Sequence, residues 1–283
     1  MRVVTYNVHK CRGLDRRVRP SRIASVLREM NADIIALQEV VSITDTPQRE
    51  HDQARFIADE LGFYYCIGEN RRHNGGAYGN VLLSRFPFRR SHNYNITWRS
   101  REPRGCLRVD IEVERASIIV SQGGNVSEAT RAKGSVGEGV SDAKVEDVAK
   151  VVGDSSRILL HVFNVHLGTA FVERRYQGRR LVSPDILRDA ELKGARIVLG
   201  DFNEWTHGLA SRLLSAELRS ADVRQHLRRA RTYPGAFPLL HLDHIYFESS
   251  LGLERLTLHK SLAALVASDH LPLVADFRLP FDA

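Results

Sequence analysis

Apolar residues along this chain gather in short runs, and the runs keep stopping at polar side chains. Arg2-Val3-Val4-Thr5-Tyr6 reads as a strand that ends at Asn7-Val8-His9. Pro20 opens a stretch with Ile23, Val26, Leu27 and Met30 at helical spacing, proline being suited to a first turn. Asp33 then introduces Ile34-Ile35-Ala36-Leu37, a second buried strand, which stops at Gln38-Glu39. Pro47 to Leu61 predicts another helix and Phe63-Tyr64-Tyr65-Cys66-Ile67 a strand. After the turn Asn74-Gly75-Gly76, Tyr78 to Ser84 predicts a strand broken by Arg85-Phe86-Pro87. Leu107 to Glu114 alternates apolar and charged residues, the pattern of a half-exposed antiparallel strand.

From Ser121 to Ser156 the pattern lapses: Gly, Ser, Ala and Val dominate, with no aromatic residue, Leu or Ile. Such a segment buries little apolar area, so residues at about 121–156 are expected to be a mostly mobile surface insertion, with Val145, Val148 and Val152 able to line a short amphipathic helix. The core pattern returns in Ile158 to Val165, a strand that ends at His166. Phe171 to Leu192 predicts a helix with an arginine-rich face, interrupted at Gly178 or at Ser183-Pro184. Ile197-Val198-Leu199 is a buried strand ending at Gly200, where the polar stretch Asp201-Phe202-Asn203-Glu204-Trp205 begins. A helix over His207 to Leu218, a strand over His241 to Phe247 and a last strand over Leu271 to Phe277, after Asp269-His270, complete the prediction.

Length and composition bound the reading without deciding it. With 283 residues and 43% apolar content the chain can bury a substantial core, and we expect one domain over residues 1–283 carrying the insertion. No apolar run approaches the roughly 20 residues needed to span a bilayer. The first residues enter the strand directly, without a signal-peptide pattern, so a cytoplasmic location is expected. Three scattered cysteines, Cys11, Cys66 and Cys106, have neither metal-ligand spacing nor a disulfide framework. The formal charge is +7 and the arginines come in bursts, from Arg12 to Arg22, at Arg71-Arg72, and over Arg85 to Arg90, Arg99 to Arg108, Arg174 to Arg180 and Arg224 to Arg231. That surface favours an anionic, phosphate-containing partner, nucleic acid among the candidates, and points to no particular protein partner.

The candidate chemistry lies where the strands stop. If the backbone stays extended past Gly200, Asp201 and Asn203 share a face while Phe202 points back to the core. A carboxylate beside an amide suits water activation next to a phosphate, and it equally suits a strand closing in an Asx-turn. Asn7, Glu39, His166, Asp201, Asn203, Asp243, Asp269 and His270 all fall at strand ends or entries, and adjacent strands would carry them to one edge. Singly, each has a plain structural reading: Asn7 a turn former, Glu39 a solvated strand end, His166 a core histidine.

Taken in order, the set Thr5-Tyr6-Asn7, Leu37-Gln38-Glu39-Val40, Asn164-Val165-His166-Leu167-Gly168, Gly200-Asp201-Phe202-Asn203, Leu242-Asp243-His244-Ile245-Tyr246 and Ser268-Asp269-His270-Leu271-Pro272 resembles the endonuclease/exonuclease/phosphatase superfamily. That group includes type I deoxyribonucleases, exonuclease III-like AP endonucleases, neutral sphingomyelinases and inositol polyphosphate 5-phosphatases. The resemblance implies an α/β fold, a four-layer sandwich of two mixed β-sheets packed face to face with helices on both outer sides. It implies hydrolysis of a phosphodiester by in-line attack of water, with Mg²⁺ (or Mn²⁺) as cofactor. Glu39 matches the family's main metal ligand, with Asn7 beside it and Asp269 a second candidate. Asp201 matches the carboxylate that activates or orients the nucleophile, Asn203 the phosphate-positioning amide, His270 the histidine at the scissile phosphate and Asp243 the carboxylate that orients it. His166 resembles a second catalytic histidine of the nuclease and sphingomyelinase branches.

Two features depart from the pattern. Tyr78-Gly79-Asn80 stands where the deoxyribonuclease branch has a glutamate supporting that second histidine, and no DNA-penetrating loops are recognisable. Arg104, in Glu102-Pro103-Arg104-Gly105, is either a bidentate phosphate clamp or a solvated loop arginine. Charge tilts the substrate expectation slightly towards nucleic acid. The alternatives are a phospholipid headgroup, an inositol phosphate or another small phosphate ester on the same machinery, and, from a different class, a non-catalytic binding protein on this scaffold.

Overall fold

The computed structural model describes residues 1–44, 46–114, 157–204, 208–221, 232–235 and 239–280. The expected insertion with its short helix, Trp205, His207 and the Arg224 to Arg231 burst lie outside the described residues. The first strand, β1 (Arg2–Asn7), is followed by α1 (Pro20–Met30) and β2 (Ile34–Ser42). Next come α2 (Gln53–Leu61), β3 (Tyr64–His73), β4 (Gly76–Ser84), β5 (Phe88–Asn95) and β6 (Gly105–Glu114). The second half runs β7 (Arg157–His166), α3 (Phe171–Leu181), β8 (Ala195–Asp201), α4 (Leu209–Glu217), β9 (Arg219–Ser220), β10 (Asp243–Phe247), β11 (Gly252–Leu258), α5 (Leu262–Ala267) and β12 (Leu273–Arg278).

The strands form two mixed six-stranded sheets, ordered β11-β12-β1-β2-β4-β3 and β5-β6-β7-β8-β10-β9. Within each sheet one pair is parallel, β1 with β2 and β7 with β8. Three apolar clusters define the layers. Val3, Ile34, Ala36, Leu82, Val109, Val162, Leu199, Ile245 and Ala275 fill the space between the sheets. Val4, Tyr6, Ile35 and Leu37 pack the first sheet against Ile23 and Leu27 of α1, Ile57 of α2 and Ala264 of α5. Phe163, Val198 and Tyr246 pack the second sheet against Leu181 of α3 and Leu214 of α4. The result is the helix–sheet–sheet–helix sandwich.

Strand periodicity then carries polar residues to one edge. Alternate residues share a face. In β1, Val3 faces the inter-sheet core, so Thr5 and Asn7 follow on the same face. Leu160 and Val162 of β7 lead likewise to Asn164 and His166, and Ile197 and Leu199 of β8 lead to Asp201. Gly200, between them, has φ 146°, and a Cβ there would lie 1.8 Å from the Val165 carbonyl oxygen, so only glycine fits where β7 and β8 close on the site.

Several predicted elements differ in detail. Leu107 to Glu114 is not half exposed, because Arg108 and Asp110 are buried on the helix-facing side of β6. Arg108 donates from Nε and Nη2 to the two Asp110 oxygens at 2.8 Å each, and His161 Nδ1 lies 2.7 Å from Asp110 Oδ1, so the charges are paired before being covered. The helix from Phe171 runs through Gly178 and ends at Leu181, ahead of Ser183-Pro184. Glycine suits that interior position because a Cβ would come within 2.7 Å of Ala210 Cα, where α3 crosses α4. β5, β11 and α5 were not predicted.

Candidate active site

Ends of β1, β7, β8 and β10, with the bulge inside β2 and the segment leading into β12, surround a cleft of ≈ 280 Å³; β2 runs past Gln38-Glu39 to Ser42 and does not stop there. Its walls include Asn7, Glu39, Arg104, His166, Asp201, Asn203, Asp269 and His270. Asp243 lies behind it, fully buried. All the residues singled out from the sequence are thus at one edge, either in the cleft wall or supporting it.

Asp201 is the middle of the arrangement. Its Oδ2 accepts a hydrogen bond from Asn7 Nδ2 at 3.0 Å and lies 3.6 Å from His270 Nε2 and 3.7 Å from His166 Nε2. Behind His270, Asp243 Oδ2 is 2.9 Å from Nδ1. Asp243 and Asp201 are cross-strand partners in the β10–β8 ladder, so the imidazole sits between two carboxylates. Burial alone would lower the His270 pKa, but Asp243 and Asp201 outweigh it and raise it to about 10. His270 is therefore an imidazolium at neutral pH. Burial, helped by the charge of Arg104, pushes His166 the other way, to about 4. Hydrogen bonding agrees: Asn203 Nδ2 donates to the Leu167 carbonyl at 2.9 Å and lies 3.3 Å from His166 Nε2, which must then be the acceptor of a neutral ring.

The extended backbone assumed past Gly200 is not what forms. β8 ends at Asp201, Asn203 takes a left-handed φ of 48°, and its N–H donates to Asp201 Oδ1 at 2.8 Å. The Asx-turn and the functional pairing therefore coexist: the turn brings the Asn203 amide to the cleft that Asp201 lines. Phe202 is buried, packed edge-on against His244.

Glu39 also depends on irregular backbone. β2 shifts register against β4 between Leu37 and Val40, and Glu39 has φ 58°. The bulge re-aims its side chain. Oε1 accepts from Asn7 Nδ2 at 3.2 Å and Oε2 from Lys10 Nζ at 3.1 Å. Burial opposes the charge, yet His166, Lys10 and the Asn7 amide hold the carboxyl down at about 2. Because His166 is itself neutral at pH 7, Lys10 and Asn7 maintain that depression there. Asp269 lines the same cleft and lies 3.4 Å from His9 Nδ1.

Glu39 and Asp269 supply hard oxygen donors to this cleft. Among the described residues no group of three or more His, Cys, Asp or Glu converges into a preformed metal cage. Such a donor set fits an Mg²⁺-type ion, which binds through one or two carboxylates and keeps its remaining positions for water and substrate phosphate. Asn7 turns its nitrogen towards both carboxylates, while its Oδ1 accepts from His9 N at 3.0 Å. It therefore spaces Glu39 from Asp201 in this arrangement.

Arg104 is only 7% exposed, so it is not a solvated loop arginine. Its Nη2 bonds Glu102 at 2.9 Å, while Nε and Nη1 are buried without a partner. Sequence reasoning missed Lys10, Thr169, Tyr233 and Ser268. Tyr233 packs its ring 4.9 Å from that of His270, and the Ser268 hydroxyl donates to the Asn7 carbonyl at 2.8 Å, fixing the approach to Asp269-His270. A signal existed for Lys10, which directly follows the polar end of the first strand, and for Ser268, inside the Ser268-Asp269-His270 motif.

A family model described as Endonuclease/Exonuclease/phosphatase family matches residues 4–270. The uncharacterized protein YbhP of Escherichia coli (strain K12) is 27% identical over 289 aligned residues, covering 98% of this chain and 96% of that protein. Two solved structures share the fold at low identity. A mannosyl-6-phosphatase of Bacteroides thetaiotaomicron has TM-score 0.67 and 15% identity, with 99% of this chain and 100% of that one covered. The human nocturnin catalytic domain with bound sulfate has TM-score 0.65 and 19% identity, with 98% and 94% covered. With a family match over nearly its whole length, this chain belongs to the endonuclease/exonuclease/phosphatase family, whose members are hydrolases acting on phosphoester bonds and generally use divalent metals.

Proposed function

We propose that the chain hydrolyses a phosphoester, a phosphodiester in the first instance, by in-line attack of a water that Asp201 orients and deprotonates, with Mg²⁺ or Mn²⁺ as cofactor. The observation that carries this reading is the position of the Asp201 carboxylate between two imidazoles of opposite charge state, 3.6 Å and 3.7 Å away. His270, held as imidazolium by Asp243, stabilises negative charge growing on the phosphoryl oxygens. Arg104 holds the phosphate, with its two partnerless nitrogens as donors, while both Nδ2 hydrogens of Asn203 are committed to the Leu167 carbonyl and His166 Nε2. His166, neutral, accepts from Asn203, which fixes its ring beside Asp201. Glu39 and Asp269 hold the divalent ion, which when bound supplies Lewis-acid stabilisation of the phosphate.

The overall charge supports nucleic acid as carrier of the bond, and the ion pairs temper that reading. Every described arginine burst has a member tied to a carboxylate: Arg22 to Asp15, Arg71 to Glu102, Arg89 to Glu112, Arg108 to Asp110 and Arg180 to Asp185. We place the protein in the cytoplasm, in keeping with three free cysteines; no helix among the described residues is long and apolar enough to cross a membrane.

Asp201→Ala and His270→Ala are each expected to lower turnover of bis-p-nitrophenyl phosphate in Mg²⁺ or Mn²⁺ by at least ~10²-fold, since both act mainly in the transition state. Wild-type rates in either folded variant contradict the assignment.

A further inference from the structure

Arg104 borders a second cavity, of ≈ 430 Å³, whose walls include Asn70, Asn93, Asn95, Thr97 and Arg99. It lies where β3 and β5, the outermost strands of the two sheets on that side, come together. Asn93 joins them, donating from Nδ2 to the Glu69 carbonyl at 2.9 Å and to Asn70 Oδ1 at 3.2 Å. The backbone is cut to admit these amides. A Cβ on Gly105 would lie 2.1 Å from Asn70 Oδ1 and 2.7 Å from Asn93 Oδ1, and one on Gly68 2.8 Å from Asn93 Oδ1.

Polar atoms here are left over. Asn93 Oδ1 is buried without a partner, as are Nε and Nη1 of Arg104. Buried polar groups are normally satisfied, so the Asn93 orphan, beside an Arg104 whose own free nitrogens serve the phosphate in the neighbouring cleft, marks a place where a ligand supplies a missing bond. The walls also say what kind. Carboxamides offer donor and acceptor together, the complement of hydroxyl groups. Among the described residues, Pro103 is the one apolar side chain lining the cavity, and no aromatic ring does. An acyl chain would find no apolar wall, and a nucleobase would find no aromatic ring, only the Arg99 and Arg104 guanidinium planes.

Building on the phosphoesterase reading, we infer that this cavity is a specificity subsite for a hydroxyl-rich group, a polyol or glycosyl unit, esterified to the phosphate that Arg104 holds in the neighbouring cleft. Arg104, lining both, is the link between bond and carrier.

The test compares kcat/KM for glycerophospho-myo-inositol with that for bis-p-nitrophenyl phosphate, in saturating Mg²⁺ or Mn²⁺. Asn70→Leu and Asn93→Leu are expected to lower the ratio of the first to the second by at least ~10-fold, chiefly through KM, because hydroxyls would meet apolar groups. Asn95→Ala, at an exposed position, gives a second variant should the bridge between sheets be needed for folding, and is expected to move the ratio the same way. Turnover of the p-nitrophenyl ester with a ratio unchanged within about twofold in all folded variants overturns the subsite and leaves the hydrolase standing. A loss seen only for oligonucleotide cleavage overturns the polyol assignment in favour of nucleic acid. Turnover of neither ester with either metal overturns the phosphoesterase reading and the inference with it.

Discussion

His166 and His270 stand almost equally far from one carboxylate and hold opposite charge states. Burial disfavours the imidazolium at both, and what separates them is Asp243, which bonds His270 and not His166, together with the Arg104 charge that acts on His166. Because the folded-state pKa of His270 is raised, its ionic contribution to stability is fully present below the ordinary histidine pKa near 6.5 and disappears as pH rises through about 10. The stability gap between wild type and His270→Gln, read by urea denaturation, is therefore expected to narrow from pH 7 to pH 10.5. A gap that widens over that range contradicts the charge assignment. At this scale the sequence was informative about residue types: Glu39, Asp201, Asp243 and His270 stood out because apolar runs stopped at them or beside them. The Lys10 contact to Glu39 did not, since it depends on left-handed backbone at His9, Lys10 and Cys11 that no local propensity signals.

The elements hold the site through a buried polar layer just beneath it. Gln38 Nε2 donates to Asn164 Oδ1 at 2.8 Å and to Thr5 Oγ1 at 3.1 Å, joining the two sheets. Asn164 Nδ2 donates to the Leu37 and Val81 carbonyls at 2.9 Å each, and Asn80 Nδ2 to the Gly105 and Asn164 carbonyls. Asn80, read as a departure from the deoxyribonuclease pattern, is thus bonded into the sheet-to-sheet contact. Replacing Asn164 with Ala removes the bond from Gln38 across the sheets and the side-chain donor of two strand carbonyls, which is expected to cost about 2–4 kcal/mol by urea denaturation; a loss under about 0.5 kcal/mol would show that the layer does not hold the sheets together. The motifs held Gln38 and Asn164 in view without revealing that they meet, because their partners are remote in sequence. β5 was invisible for another reason: Phe88–Asn95 is an edge strand whose residues are mostly exposed, so it lacks apolar alternation.

Across the whole molecule, two six-stranded sheets each contribute strand ends to one edge, and the cleft exists only when both are present. That convergence was legible because the motif order spanned nearly the full chain and the motifs sat at strand ends or entries, except Glu39, which a bulge inside β2 brings to the same edge. The carrier of the scissile bond was not legible, because net charge counts arginines without showing which are paired, and the carboxamide cavity is assembled from β3, β5 and the loop before β6. In the proposed hydrolysis Glu39 holds a divalent ion beside Asp201. The direct measurement is the Mn²⁺ dependence of bis-p-nitrophenyl phosphate hydrolysis by wild type and Glu39→Gln. Wild type is expected to show saturable, chelator-abolished turnover, and the variant a half-saturating Mn²⁺ concentration at least ~10-fold higher, because a hard carboxylate ligand is lost. Turnover that survives exhaustive chelation, or an unchanged metal requirement in Glu39→Gln, would contradict that role of Glu39.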